Sequence, residues 1–194
     1  MKSSRYLVVA FMCFYSLAGH AGENILVPMV GMVDWSSTQG HRVRGSDISF
    51  SSGSEGSAGF KYLYLFDFGL AVGGNLFTYT KEVREKNLAE DSVFIHNHVL
   101  LSYFFNQKGD LKPYVGVGTG YVFNRFRNGT LDLESSLGNS SELNLGFLWS
   151  FSRRVGLQLE YKYVNFNLKK EIDNYGTKIK SNAHTLFLGV SVHI

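Results

Sequence analysis

The chain is poor in the residues that fix most exported folds by covalent or helical means. Cys13 is its only cysteine, so no disulfide framework is available and stability must come from the fold itself. Proline is confined to Pro28 and Pro113. No apolar run beyond residue 21 is long enough for a spanning helix, and helix-period segments are hard to find. The 19 basic residues are nearly matched by 16 acidic ones, and removing Lys2 and Arg5 brings the balance closer. A nucleic-acid binder normally carries a strong basic excess, so that class is excluded.

What is present begins with a leader. Lys2 and Arg5 precede an apolar core from Tyr6 to Leu17, followed by Gly19, His20 and Ala21. This is the pattern of a secretory signal peptide cleaved after Ala21, leaving residues 22–194 as one domain. Cys13 lies inside the leader, and Met12 before it does not resemble a lipoprotein cleavage site.

Alternation dominates the remainder. From Leu186 every second residue is aliphatic, Leu186, Leu188, Val190, Val192 and Ile194, with Phe187, Gly189, Ser191 and His193 between them. A period of two over this length is a strand with two unlike faces. The same pattern predicts seven more strands: 25–35, 58–65, 68–80, 92–105, 112–125, 142–151 and 155–168. Long polar segments at 36–57, 81–91, 126–141 and 169–182 alternate with tight turns near Phe66-Asp67, at 106–110 and at 152–154. Eight strands joined long, short, long, short, long, short, long predict an all-β, eight-stranded antiparallel up-and-down transmembrane β-barrel, with short turns in the periplasm and longer loops outside.

Alternation is shared with soluble barrels, which are apolar inside and polar outside. The choice of a membrane barrel rests on three further patterns. Gln158, Glu160 and Lys162 fall consecutively on one face, as suits a small polar lumen. Aromatics stand at strand ends on the opposite, apolar face: Tyr103, Phe105, Trp149 and Phe151 at the periplasmic level, Tyr121, Phe123, Tyr161 and Tyr163 at the outer level. They would form the girdles at the two membrane boundaries. Gly116, Gly118, Gly120 and Gly146 lie on the lumen face, where a narrow interior needs room. An unpaired backbone polar group in lipid costs several kcal/mol, so the sheet must close, pairing the last strand with the first.

On KPYVGVGTGYVF (112–123), GLQLEYKYV (156–164), GFKYLYLFDFGLAVGG (59–74) and the final LFLGVSVHI, the chain resembles the small outer-membrane β-barrel family. That family includes the OmpA-type transmembrane domain, OmpX and Ail, and the opacity-type surface antigens. Gly189, Val192 and Ile194 also resemble the C-terminal assembly signal of such proteins, although the usual last residue is aromatic and Phe187 occupies a position usually polar. The resemblance implies location in the cell outer membrane and insertion by the outer-membrane assembly machinery. The lipids and lipopolysaccharide of that membrane would be the surroundings. It does not imply one activity, since members serve as structural anchors, adhesins, serum-resistance factors or, in cousins, lipid A-modifying enzymes.

His96, His98 and Ser102 share a face, and with Glu160 they supply the residue types of a hydrolase triad. Lipid A deacylase barrels carry such a set facing lipid, with histidine and serine two residues apart. No His-x-Ser occurs on any strand here, and alternation turns these groups inward. Lumen-filling residues hydrogen-bonded to one another are the simpler reading, so no catalytic residue is assigned. The His96-x-His98 pair lacks an evident third ligand for a metal, and neither metal nor cofactor is expected. Glu160 and Lys162, with Lys61 or Arg125 as further members, read as an ion-pair network. The expected function is a non-enzymatic surface barrel, with a structural or adhesion and colonisation role carried by loops that contact host or cell-surface ligands. A lipid A-modifying enzyme is the alternative.

Overall fold

The computed structural model describes residues 22–39, 48–50, 53–85, 88–126, 136–172 and 175–194. The expected leader, residues 1–21, lies outside them. Nine strands follow in order: β1 (Gly22–Gln39), β2 (Ile48–Phe50), β3 (Ser54–Phe66), β4 (Leu70–Glu85), β5 (Leu88–Phe104), β6 (Leu111–Phe126), β7 (Ser136–Ser150), β8 (Val155–Ile172) and β9 (Tyr175–His193). Eight of them form a closed antiparallel ring, β1-β3-β4-β5-β6-β7-β8-β9 and back to β1. Short β2 adds to the free edge of β4 through Ile48–Phe50 against Val83–Glu85.

Closure follows from the first and last strands. Ile25 stands opposite His193 and Gln39 opposite Lys180, with one register shift between Trp35 and Ser37. Asn24 and Ile194 exchange backbone hydrogen bonds at the very end of the seam, at 2.9 and 3.4 Å. No backbone edge is left along the lipid-facing length, which is the requirement for crossing a bilayer with strands.

The three tight turns fall at 67–69, 105–110 and 151–154. Gly69 holds the first with a φ of 94°, a region that glycine enters without steric penalty. Its N–H donates to Phe66 O at 2.9 Å, and its carbonyl accepts from Phe104 N at 2.8 Å.

The polar segments differ from expectation. Residues 81–91 and 169–182 are strand almost throughout. Glu85 pairs with Leu88 and Ile172 with Tyr175, so each pair of strands stays in register to the last described residues on either side. Likewise β1 extends to Gln39, β3 starts at Ser54 and β7 at Ser136. Apolar alternation ends where the sheet leaves lipid, but a register set inside the bilayer continues to pair backbone groups beyond it. Among the described residues no helix is long and apolar enough to span a membrane, a statement that does not bear on spanning strands.

The two faces divide cleanly. Val30, Val99, Val117, Leu143, Leu145, Leu159, Leu186 and Leu188 stand outward and exposed, whereas Lys61, His96, His98, Asn144, Glu160 and Lys162 stand inward and buried. A soluble protein has the reverse arrangement. The outward positions from Leu186 to Ile194 on β9 cover about 27 Å of strand, roughly 20 Å of height at a tilt of about 40°. That suits an outer-membrane hydrocarbon layer.

Candidate functional site

The interior is stacked in three layers. At the short-turn end Ile25, Val27, Leu63, Leu65, Ala71, Leu100, Phe104, Tyr114 and Leu148 form one apolar cluster. Towards the other end Met29, Val33, Phe77, Tyr79, Phe94, Val122, Val164, Phe166, Leu168, Ala183 and Phe187 form a second. Between them lie the charges.

The charged layer is built by inward positions of β3, β4, β6, β7 and β8, some on paired strands and some facing one another across the lumen. Lys61 of β3 pairs with Glu160 Oε2 of β8, and Tyr114 of β6 donates its hydroxyl to the same oxygen at 2.7 Å. Lys162 Nζ lies 3.1 Å from Glu160 Oε1 and 3.5 Å from Glu142 Oε1 of β7. Glu142 also accepts from Asn75 Nδ2 and from Asn144 Nδ2, each at 2.9 Å. Two cations and two carboxylates thus balance within one buried layer, the condition under which buried charge is tolerated. Lys162 Nζ further lies 5.1 Å from the Phe77 ring centre and 5.5 Å from that of Phe187, both members of the second apolar cluster.

Above this network runs a hydrogen-bond chain. Tyr79 Oη lies 2.9 Å from His96 Nε2, and His96 Nδ1 lies 3.1 Å from Ser140 Oγ. Ser140 Oγ is 2.8 Å from His98 Nε2, and His98 Nδ1 is 2.9 Å from Glu142 Oε2. One assignment satisfies all four contacts: Tyr79 donates to His96, His96 Nδ1–H to Ser140, Ser140 to His98, and His98 Nδ1–H to Glu142. Rings of Phe77 and Phe166 flank His96 at centroid distances of 4.7 and 5.3 Å.

Each residue singled out from the sequence has a definite place. His96, His98, Ser102, Gln158, Glu160 and Lys162 are all buried inside the barrel. Ser102 does not join the histidines: its hydroxyl has no protein partner, and Glu160 is engaged by lysines and a tyrosine. Lys61 belongs to the network, whereas Arg125 stands on the exposed outer face, because odd-numbered positions of β6 point outward. Sequence reasoning missed Ser140 and Glu142, which lie where alternation fades into a polar segment. Ser140, His98 and Glu142 have the order and spacing of a triad, yet serine and carboxylate are each only 4% exposed. Among the described residues no group of three or more metal-ligating side chains exists.

On the outer wall Tyr103, Phe105, Trp149, Phe151, Tyr121 and Phe123 are exposed. Tyr161 and Tyr163 are half-buried, with His184 5.9 and 5.2 Å from their ring centres. Tyr103 and Phe105 meet edge to face at 5.2 Å, and Trp149 lies 4.6 Å from Phe151. At the end of β9, Gly189 is buried against Val27 and Met29, while Val192 and Ile194 face outward.

Comparison with solved structures identifies the architecture. The chain superposes on OprG from Pseudomonas aeruginosa with a TM-score of 0.61 and 17% identity, covering 91% of this chain and 98% of that one. Neisserial surface protein A gives 0.61 and 17%, covering 88% and 96%. Ail, the attachment invasion locus protein of Yersinia pestis, gives 0.55 and 16% in complex with the heparin analogue sucrose octasulfate, covering 89% and 99%. The chain has the fold of the small outer-membrane β-barrels. No family model and no curated protein matches it by sequence. An apolar exterior wrapped around a charged interior suits a wall that stands against lipid.

Proposed function

We propose that the protein is a non-enzymatic surface barrel whose outward connections make contacts outside the cell, in an envelope-structural or adhesion role. The observation that carries this reading is the interior: ion pairs span it from β3 to β8, and apolar layers lie on both sides of them. Such a barrel is a scaffold, and a rigid scaffold leaves recognition to the segments it displays. On the sequence, the polar stretches at 40–47 and 127–135 would be among those segments, carrying Arg42, Arg44 and Arg127 beside Asp47, Asp132 and Glu134. Ail, a barrel of similar fold, is described in complex with the heparin analogue sucrose octasulfate, and the arginines at 42 and 44 would suit a sulfated or phosphorylated glycan in the same way.

Three further assignments belong to this reading. Residues 1–21 act as the export leader, the aromatic residues of the outer wall act as membrane girdles, and Gly189, Val192 and Ile194 act as the assembly signal. Replacing residues 40–47 and 127–135 with short Gly-Ser linkers is expected to leave membrane assembly intact and abolish binding to cells, matrix or heparin. Binding that survives both replacements contradicts the reading.

The Ser140–His98–Glu142 geometry is the observation in favour of a second reading, a lipid A-modifying enzyme. Its burial inside the lumen, away from acyl chains, weighs against it. Mass spectra of lipid A from cells with and without the protein decide the matter: identical spectra remove the enzyme.

A further inference from the structure

The short-turn end of the barrel opens into a cavity of about 590 Å³, within the range of small-ligand sites. Its walls come from the start of β1, the 105–110 turn, the start of β6, the 151–154 turn and the end of β9. The two turns are tied together by Ser150 N donating to Asp110 O at 2.8 Å. One wall is internally neutralised: Glu23 Oε1 lies 2.6 Å from His193 Nδ1, and Oε2 lies 3.8 Å from Lys112 Nζ. Leu65 and Leu148, the register partners of Glu23 and Lys112, belong to the apolar cluster at this end of the barrel.

What remains uncommitted in this vestibule is mostly positive. Lys108 and Arg153, one on each turn, are exposed and form no ion pair among the described residues, and Asp110 is the free carboxylate beside them. The Ser150 hydroxyl oxygen, also in the lining, is buried without a partner. Two cations on separate turns and a buried hydroxyl line one ligand-sized space.

We propose that this vestibule binds a small anion, a carboxylate- or phosphate-bearing solute, through Lys108 and Arg153. The site lies at the opposite end from the displayed segments, so its occupancy is independent of any contact they make. An anion would neutralise the rim without disturbing the Glu23–His193 contact, and Asp110 would favour ligands that also carry an amino group.

The test titrates folded barrel in micelles with sodium succinate and, separately, sodium phosphate, against sodium chloride at matched ionic strength. Amide signals of residues 107–110 and 151–154 are followed by NMR. Saturable shifts confined to those turns are expected, with affinity reduced roughly tenfold or more in the Lys108→Ala/Arg153→Ala double variant. The ratio of the two affinities tells a carboxylate source from a phosphate source. Both substitutions are at exposed turn positions, and gel mobility before and after boiling confirms that the variant is folded. Shifts no larger than those with chloride, or equal in the double variant, overturn the proposal. Gly-Ser replacement of residues 40–47 and 127–135 should leave these titrations unchanged.

Discussion

Lys61 on β3 and Glu160 on β8 form a fully buried ion pair although the two strands share no backbone hydrogen bond. The contact crosses the lumen, so it forms only once the ring has closed. Removing one partner leaves the other charged and buried, a loss of about 3–5 kcal/mol. Glu160→Gln and Lys61→Met are each expected to lower the urea midpoint of the folded barrel clearly. The double substitution Lys61→Met/Glu160→Leu should recover much of that loss. A single variant as stable as the parent would show that the pair does not brace the wall.

Inward glycines make room that a methyl group would fill. A Cβ on Gly120 would sit 1.9 Å from Asn97 O and 2.8 Å from His98 Cα, both backbone atoms of β5. Gly120→Ala is therefore expected to push β5 from β6 and reduce the folded fraction recovered after dilution from urea. At Gly56 a Cβ meets nothing within 4 Å, and Gly56→Ala should fold as the parent does. Equal yields for the two would contradict this packing.

Glu23 lies at the short-turn mouth, before the outward-facing apolar stretch of β1 from Leu26 to Met32. Its hydrogen bond from His193 holds the Glu23 carboxyl below the usual carboxylate range, against the opposing effect of burial, with Lys112 assisting. A carboxylate depressed on folding contributes stability above its unfolded pKa, and that contribution disappears as pH falls through the folded value. The difference in unfolding midpoint between parent and Glu23→Gln is expected to be largest near neutral pH and to shrink in acid below the carboxylate range. A difference independent of pH would mean that the clasp is not ionic.

Much of the wall is legible in sequence because lipid imposes a period of two. Val115, Val117 and Leu143, Leu145 fall outward as alternation requires, and His96, His98, Glu160 and Lys162 fall inward. Two things are not legible. The strands continue past the apolar stretch, through residues whose two faces are equally polar, so the expected long segments at 81–91 and 169–182 are hairpins instead. Partners across the lumen are set by the stagger of the closed ring, and nothing in local spacing joins Ser140 to His98 or Lys61 to Glu160. Inward aromatics such as Phe77, Phe94 and Phe166 are hidden for a related reason: a narrow polar lumen is the simplest expectation, and the interior also holds apolar layers.

Cysteine scanning tests the central claim most directly, because Cys13 is the only native cysteine. Single cysteines placed in turn from 157 to 164 and from 185 to 192 carry a spin label in reconstituted bilayers, where oxygen partitions into lipid. A lipid-facing wall gives high oxygen accessibility at 157, 159, 161, 186, 188, 190 and 192, and low values at 158, 160, 162, 187, 189 and 191. Uniform accessibility, or the opposite phase, would contradict a closed cylinder with lipid outside and charge within.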